Sequence, residues 1–161
     1  MTGRIILQLS MRAHIDPAEP GDLPVVRGLL DASGLPSSDV TAEMLRHFLL
    51  AREGTALVGV IGAEPYGDVG LLRSAAVAPS HRGRGLGAEL TRALERRARE
   101  LGIRRLYLLT TTAERFFTGL GYRPLPRDRA PAAIRGTTEY RELCASTSVC
   151  MSKELDPGRT S

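Results

Sequence analysis

Arg82-Gly83-Arg84-Gly85-Leu86-Gly87 stands between a strand-like run, Leu71-Leu72-Arg73-Ser74-Ala75-Ala76-Val77, and a long amphipathic segment from Leu86 to Leu101. Strand, glycine-rich loop and helix N-terminus, in that order, make an anion site. Glycine takes φ > 0 without steric cost and lets the backbone approach a ligand, so successive N–H groups can converge on one concavity. The first helical turn adds its orphan donors and the positive end of its dipole. Arg82 and Arg84 bring guanidinium groups that fork onto phosphate oxygens. The stretch reads as a cradle for a pyrophosphate; the plainer reading is a surface turn that caps a helix.

Downstream, Leu86, Leu90, Leu94, Ala98 and Leu101 form one apolar stripe, with Arg92, Glu95, Arg96 and Arg99 on the other side and Gly102 as a stop. Arg105 to Thr110 reads as a strand apolar enough to be buried on both faces. Ala113 to Leu120 reads as a short helix ending at Gly121, and Tyr122-Arg123-Pro124 starts another strand. A loop rich in Pro and Arg follows, with a short helix near Pro131, then a last strand from Ser148 to Lys153 and a loose tail from Asp156.

Upstream, residues 1–10 show no clear pattern. Met11 to Ile15 reads as a first strand, closed by Asp16-Pro17. Asp22 is placed to cap a helix carrying Pro24 in its first turn, which ends at Ser33-Gly34-Leu35-Pro36. A second helix is expected over Ser38 to Arg46. Phe48 to Ala51, Ala56 to Ile61 and Val69 to Val77 then make an antiparallel meander, turning at Glu53-Gly54 and Pro65-Tyr66-Gly67-Asp68. No internal repeat and no second domain is evident.

At 161 residues the chain suits one domain, and 42% hydrophobic with 25% charged residues is ordinary for a soluble globular protein. Two cysteines are too few for a secreted disulfide scaffold, which points to a reducing cytoplasm. No apolar run approaches a membrane span. The net charge of +4 suggests a polyanion partner at first sight. Lys153 is the only lysine among 22 basic residues, however, and the arginines alternate with glutamates rather than clustering. No nucleic acid or membrane is expected as a partner. His14, His47 and His81 lack ligand spacing, so no metal site is expected.

Arg82 to Gly87, following a strand and opening a helix, matches Gln or Arg, two residues, Gly, one residue, then Gly or Ala. That pattern resembles the signature of the GCN5-related N-acetyltransferases. Ala113-Glu114-Arg115-Phe116-Phe117-Thr118-Gly119-Leu120-Gly121-Tyr122 is similar to the family's companion segment, and the element order agrees from about Met11 to Lys153. More narrowly, Leu72 to Val77, Leu109 to Thr112, Tyr140 to Cys144 and Val149 to Met151 resemble the acetyltransferases encoded beside arsenic-resistance genes. Gly83 to Ala88 also satisfies the dinucleotide pattern G-x-G-x-x-A. That pattern wants its first glycine directly after the strand and an acidic residue about 20 positions on, where this chain has Arg104-Arg105-Leu106.

The resemblance implies a single acetyltransferase domain over 1–161, with its core at about 11–153. The implied fold is α+β, an α/β/α sandwich-like arrangement with a mixed, mostly antiparallel sheet and helices on both faces. It implies acetyl-CoA as cofactor and a small-molecule amine or amino-acid-like acceptor, and a homodimer is compatible with it. The strand before the cradle would splay from the next, freeing the backbone at Ala75 and Val77 for the pantetheine arm. The N–H groups of Gly83, Gly85 and Gly87, with Leu86 in the same turn, would hold the pyrophosphate, flanked by Arg82 and Arg84. Thr110 would stand where many relatives have an Asn contacting the pantetheine; as a plain strand end it would cap the next helix instead.

Relatives commonly use a Glu as base and a Tyr as acid; the matching positions are Leu71 and Phe117, and neither side chain can transfer a proton. Phe117 remains a cofactor-side residue. Ser74, Tyr140, Thr111 and Glu139 are the remaining candidates for catalysis, with Ser74 and Tyr140 put first. Direct attack with water removing the proton stays open. Arg73, two residues from Ala75, would share its strand face unless a bulge intervenes, and suits the carboxylate of an acceptor. Cys144 and Cys150 could meet across a loop and bind trivalent arsenic, or pack as small apolar groups. An acetyl-CoA-binding module without turnover and a protein-lysine acetyltransferase are the rival readings.

Overall fold

The computed structural model describes residues 13–143 and 147–156. In chain order the strands and helices are β1 (His14–Pro17), α1 (Leu23–Ala32), β2 (Phe48–Glu53), β3 (Ala56–Tyr66), β4 (Val69–Val77), α2 (Leu86–Glu100), β5 (Arg105–Thr110), α3 (Glu114–Gly119), β6 (Arg123–Leu125), α4 (Ala132–Arg135) and β7 (Val149–Glu154). The strands form one seven-stranded sheet in the order β1-β2-β3-β4-β5-β7-β6. Every pairing is antiparallel except β4 with β5. This is the mixed α+β architecture expected from the sequence.

Alternation along the strands puts apolar residues on both sheet faces. Leu49 and Ala51 of β2 join Leu86, Leu90 and Leu94 of α2 in one cluster, while Phe48 and Leu50 join Val26 and Leu30 of α1 in another. The helices therefore cover opposite faces. Each fully buried leucine contributes about 1.5–3 kcal/mol, so the α2 stripe is a principal fastening of that helix. A third cluster, around Leu71, Tyr107, Ile134, Tyr140 and Cys150, closes the far part of the sheet.

Several expectations are corrected. The second helix over Ser38 to Arg46 is absent; only a 3-10 turn, Met44–His47, forms. The Thr41 hydroxyl accepts from the Met44 N–H at 3.2 Å, and the Asp39 carboxylate is drawn to Arg73. Ser, Thr and Asp compete in this way with helical bonds. Asp22 precedes α1 as foreseen, but its carboxylate accepts from the Glu19 N–H at 2.8 Å and pairs with Arg52 at 2.6 Å instead of capping that helix. β3 runs through Pro65 to Tyr66, five residues beyond its expected end, with the turn tightened to Gly67 and Asp68. Leu101 lies past the end of α2 and is 45% exposed; Thr91 and Glu95 are buried along α2 instead.

Candidate active site

Two features of the sheet build the site, and both lie on β4. The first is a bulge. Val60 pairs with Ala76 and Gly62 with Arg73, so Ser74 and Ala75 together oppose Ile61. Ser74 has a φ of 59°, the one positive φ at a non-glycine position among the described residues. The extra residue turns the strand and re-aims its side chains. Leu72 and Ala75, three apart, consequently pack into the same apolar cluster. Arg73 and Ala75 therefore do not share a face, which corrects the simple alternation.

The second feature is a splay. β4 and β5 pair only over Val69 to Leu71 with Arg105 to Tyr107. Beyond that point β5 bonds β7 alone, as far as Thr110 with Val149. The backbone of β4 from Ser74 to Val77 thus faces a gap on its β5 side. A cavity of about 210 Å³ fills this gap, lined by Arg73, Ser74, Ala75, Val77, Thr110 and Glu139 among others. A more apolar cleft of about 440 Å³ runs past Ala75, Val77, Phe117 and the loop into α2.

The loop has the form the glycines predicted. Gly83 and Gly85 have φ of 78° and 81°, and Gly85 is the N-cap of α2 with no side chain capping it. An added Cβ at either would meet nothing within 4 Å, so their requirement is conformational. The first α2 bond beyond the cap is from the Glu89 N–H to the Gly85 carbonyl at 3.1 Å. That leaves the N–H groups of Leu86, Gly87 and Ala88 outside the i to i−4 ladder, as at any helix start. Gly87 forms a wall of the cleft, where a Cβ would lie 3.2 Å from the Phe116 ring. Arg82 donates from Nε to the Val77 carbonyl at 2.9 Å, which fastens its guanidinium beside the loop. His81 lines the same cleft, and its Nε2 lies 3.0 Å from Glu53 on the β2–β3 hairpin.

Arg73 is not the open receptor expected for an acceptor's carboxylate. Its side chain is fully buried, and Asp39 accepts from Nη1 at 2.5 Å and from Nη2 at 2.7 Å in a fork. Glu64 accepts from Nη1 at 2.6 Å, and the Ser74 hydroxyl from Nε at 3.0 Å. Burial disfavours its charge, but the Asp39 and Glu64 bonds and the field of Glu139 outweigh that and hold its proton more tightly than usual. Four of its five N–H donors are thus taken, and an acceptor's carboxylate would meet a guanidinium whose charge two carboxylates already balance. Glu64 sits directly across from Leu71 in the β3–β4 register, beside the position where the resemblance expected a base.

The remaining candidates separate. The Thr110 hydroxyl accepts from the Ala113 N–H at 2.9 Å, so it caps the turn before α3, while its residue still lines the smaller cavity. Tyr140 is turned away: its hydroxyl donates to the Arg127 carbonyl, its ring lies 4.8 Å from the Arg127 guanidinium, and it lines neither cavity. Thr111 is exposed and lines neither cavity. Cys144 lies outside the described residues, whereas Cys150 is buried, and burial pushes its thiol up. Among the described residues no group of His, Cys, Asp and Glu is arranged to hold a metal ion. Among them also, no helix is long and apolar enough to cross a membrane.

Phe117 is a wedge between the cavities and the core. It is buried and meets Phe116 and Tyr122 edge-on, with centroids 5.0 and 5.5 Å away. Truncation to Ala would cost about 3–5 kcal/mol of packing, so the informative variant is Phe117→Leu. We expect turnover within about threefold of wild type, because no proton passes through this position. A loss of about a hundredfold or more, the size that removing a general acid gives, would contradict that.

Comparison with known proteins agrees with this geometry. The model of the acetyltransferase (GNAT) family matches residues 10–122. The amino-acid acetyltransferase of Pseudomonas syringae pv. syringae is 35% identical over 101 residues, covering 62% of this chain and 23% of that protein. That of Azotobacter vinelandii is 39% identical over 74 residues, covering 46% and 17%. The chain thus spans about a quarter or less of the curated relatives it matches. Among solved structures, N-acetylglutamate synthase from Neisseria gonorrhoeae, complexed with coenzyme A and N-acetyl-glutamate, superposes with a TM-score of 0.77 at 23% identity, covering 89% of this chain and 35% of that one. A Mycobacterium tuberculosis protein complexed with CoA gives 0.75 at 22%, covering 89% and 99%. These two likenesses concern the fold. The family match spans well over half of the residues and includes the loop, the bulge and the splay, and on that ground the chain belongs to the acetyltransferase (GNAT) family.

Proposed function

We propose that this chain transfers the acetyl group of acetyl-CoA to the amine of a small, amino-acid-like acceptor. The observation that carries the reading is the continuity of one cleft from the uncapped α2 N-terminus to the open edge of β4. The chain's own groups fit such a cosubstrate. Gly83, Gly85 and the first turn of α2 offer N–H donors to a diphosphate, with Arg82 and Arg84 beside them. The β4 backbone at Ala75 and Val77 offers strand-type bonds to an amide-bearing arm, along an apolar trough. Bound acetyl-CoA supplies an activated carbonyl and a sulfur leaving group. The smaller cavity, walled by Arg73, Ser74, Thr110 and Glu139, is the place for the acceptor.

An amino-acid-like acceptor accords with the name of the curated relatives, amino-acid acetyltransferase. The similarity of Leu72 to Val77 and Leu109 to Thr112 to arsenic-resistance acetyltransferases extends the panel to organoarsenical amino acids, in a reducing cytoplasmic setting. The test is release of free thiol from acetyl-CoA across the common amino acids, simple alkylamines and amino-acid organoarsenicals. We expect thiol release with at least one α-amino acid or its arsenical analogue. Tight acetyl-CoA binding with no release across the panel would favour a sensor without turnover, a reading that Leu71 and Phe117 keep in play.

A further inference from the structure

The reaction needs a proton acceptor, and the position across from Glu64 that could have held one is Leu71. We propose that Glu139 takes the proton from the acceptor's ammonium group, an inference that rests on the acetyltransfer reading above. Glu139 opens a π-helical turn, Glu139–Leu143, and is 6% exposed. Among the described residues it is the only carboxylate lining the cavity in the β4–β5 gap. π-Turns are uncommon and recur at functional sites, because they shift one side chain out of its helical place.

The other polar groups of that cavity are unsuited to the task. Ser33, Ser74, Thr110 and Thr112 present hydroxyls, which are poor bases at neutral pH, and those of Ser74 and Thr110 already accept a hydrogen bond. Arg73 and Arg82 are the remaining charged residues lining the cavity among the described residues, and neither gives up its proton. Asp39 and Glu64 are bound to Arg73 and do not line the cavity, so neither faces an acceptor held there. The field of Glu139 is felt at Arg73, which places the two groups in the same neighbourhood.

The step balances without further reagents. One ammonium proton passes to the Glu139 carboxylate and from there to solvent. The freed lone pair forms the N–C bond as the C–S bond breaks, and a second N–H proton ends on the departing sulfur. The products are the amide, the free thiol and one proton released to water.

Glu139→Gln keeps the size of the side chain and removes the base. With the fastest acceptor of the panel, kcat/KM at pH 7 should fall about a hundredfold. The deficit should shrink to about threefold near pH 9.5, where a far larger share of an amino acid's amino group is already neutral than at pH 7. Acetyl-CoA affinity by calorimetry should be unchanged, and Glu139→Asp should recover part of the rate. A Gln variant within about threefold of wild type at pH 7, or a deficit of constant size across the pH range, would overturn the proposal. If Glu139→Gln does not fold, the wild-type profile decides: a flat kcat/KM between pH 7 and 9 supports an enzyme base, and a tenfold rise per pH unit overturns it. Wild-type protein that binds acetyl-CoA yet acetylates nothing in the panel would remove the acetyltransfer reading itself, and this one with it.

Discussion

Gly85→Glu abolishes the rise in melting temperature that acetyl-CoA gives the wild-type protein. Gly85 is the N-cap of α2 at a φ of 81°, and its missing side chain leaves open space in front of the first helical turn. A carboxylate there would occupy the ground assigned to the diphosphate and repel it, in a region whose dipole and N–H groups favour one anion. A ligand at 100 times its Kd stabilises by about 2.7 kcal/mol, and each kcal/mol moves the transition of a domain this size by about 2–4 °C. The wild-type rise is therefore expected at about 5–10 °C, and that of Gly85→Glu at about zero. The unliganded variant also melts lower, since a side chain at positive φ costs about 1–2 kcal/mol. Gly85→Ala separates the two effects, because it carries that strain without bulk or charge and should keep part of the rise. A full rise in Gly85→Glu would mean that the diphosphate binds elsewhere.

Arg73→Met should unfold the protein far more easily, with or without cosubstrate. The guanidinium is fully buried and shared between Asp39 and Glu64, whose side chains are each 14% exposed. Removing one member of such a set leaves two carboxylates partly desolvated without a counter-charge, at a cost of about 3–5 kcal/mol. The melting temperature is expected to drop by about 10 °C or more. Adding Asp39→Asn and Glu64→Gln to the variant should return a good part of the loss, because no charge is then stranded. Arg73 also fixes the bulge through Ser74, so turnover should fall together with stability. A melting temperature within about 2 °C of wild type would show that the two carboxylates find water or other partners, and that the network does not support the bulge.

The parts of the fold that were legible in the sequence are those written in local signals. The cradle and α2 follow from three glycines and a leucine stripe, and β5 from an uninterrupted apolar run. Fold class, the splay of β4 from β5 and the antiparallel meander all stand as anticipated. What was hidden depends on partners distant in the chain. Asp39 belongs to Arg73, 34 residues later, and that tie accompanies the loss of the expected second helix. Serine carries no mark of positive φ, so the bulge at Ser74, and with it the face of Arg73, needed the β3 register to be seen. Pro65 reads as a turn residue yet continues a strand, and the π-turn at Glu139 has no sequence signature. Catalytic assignment suffered most, since it depends on which side chains the third dimension brings around one gap.

A calorimetric comparison of acetyl-CoA with S-acetylpantetheine, which lacks the diphosphate, tests the central claim most directly. The account predicts one acetyl-CoA per chain with a Kd in the range of about 1–100 μM. It predicts S-acetylpantetheine about a hundredfold weaker, because the N–H groups around residues 83–88 then have no anion to hold. Equal affinities, or no heat from acetyl-CoA at several temperatures with folded protein, would contradict it.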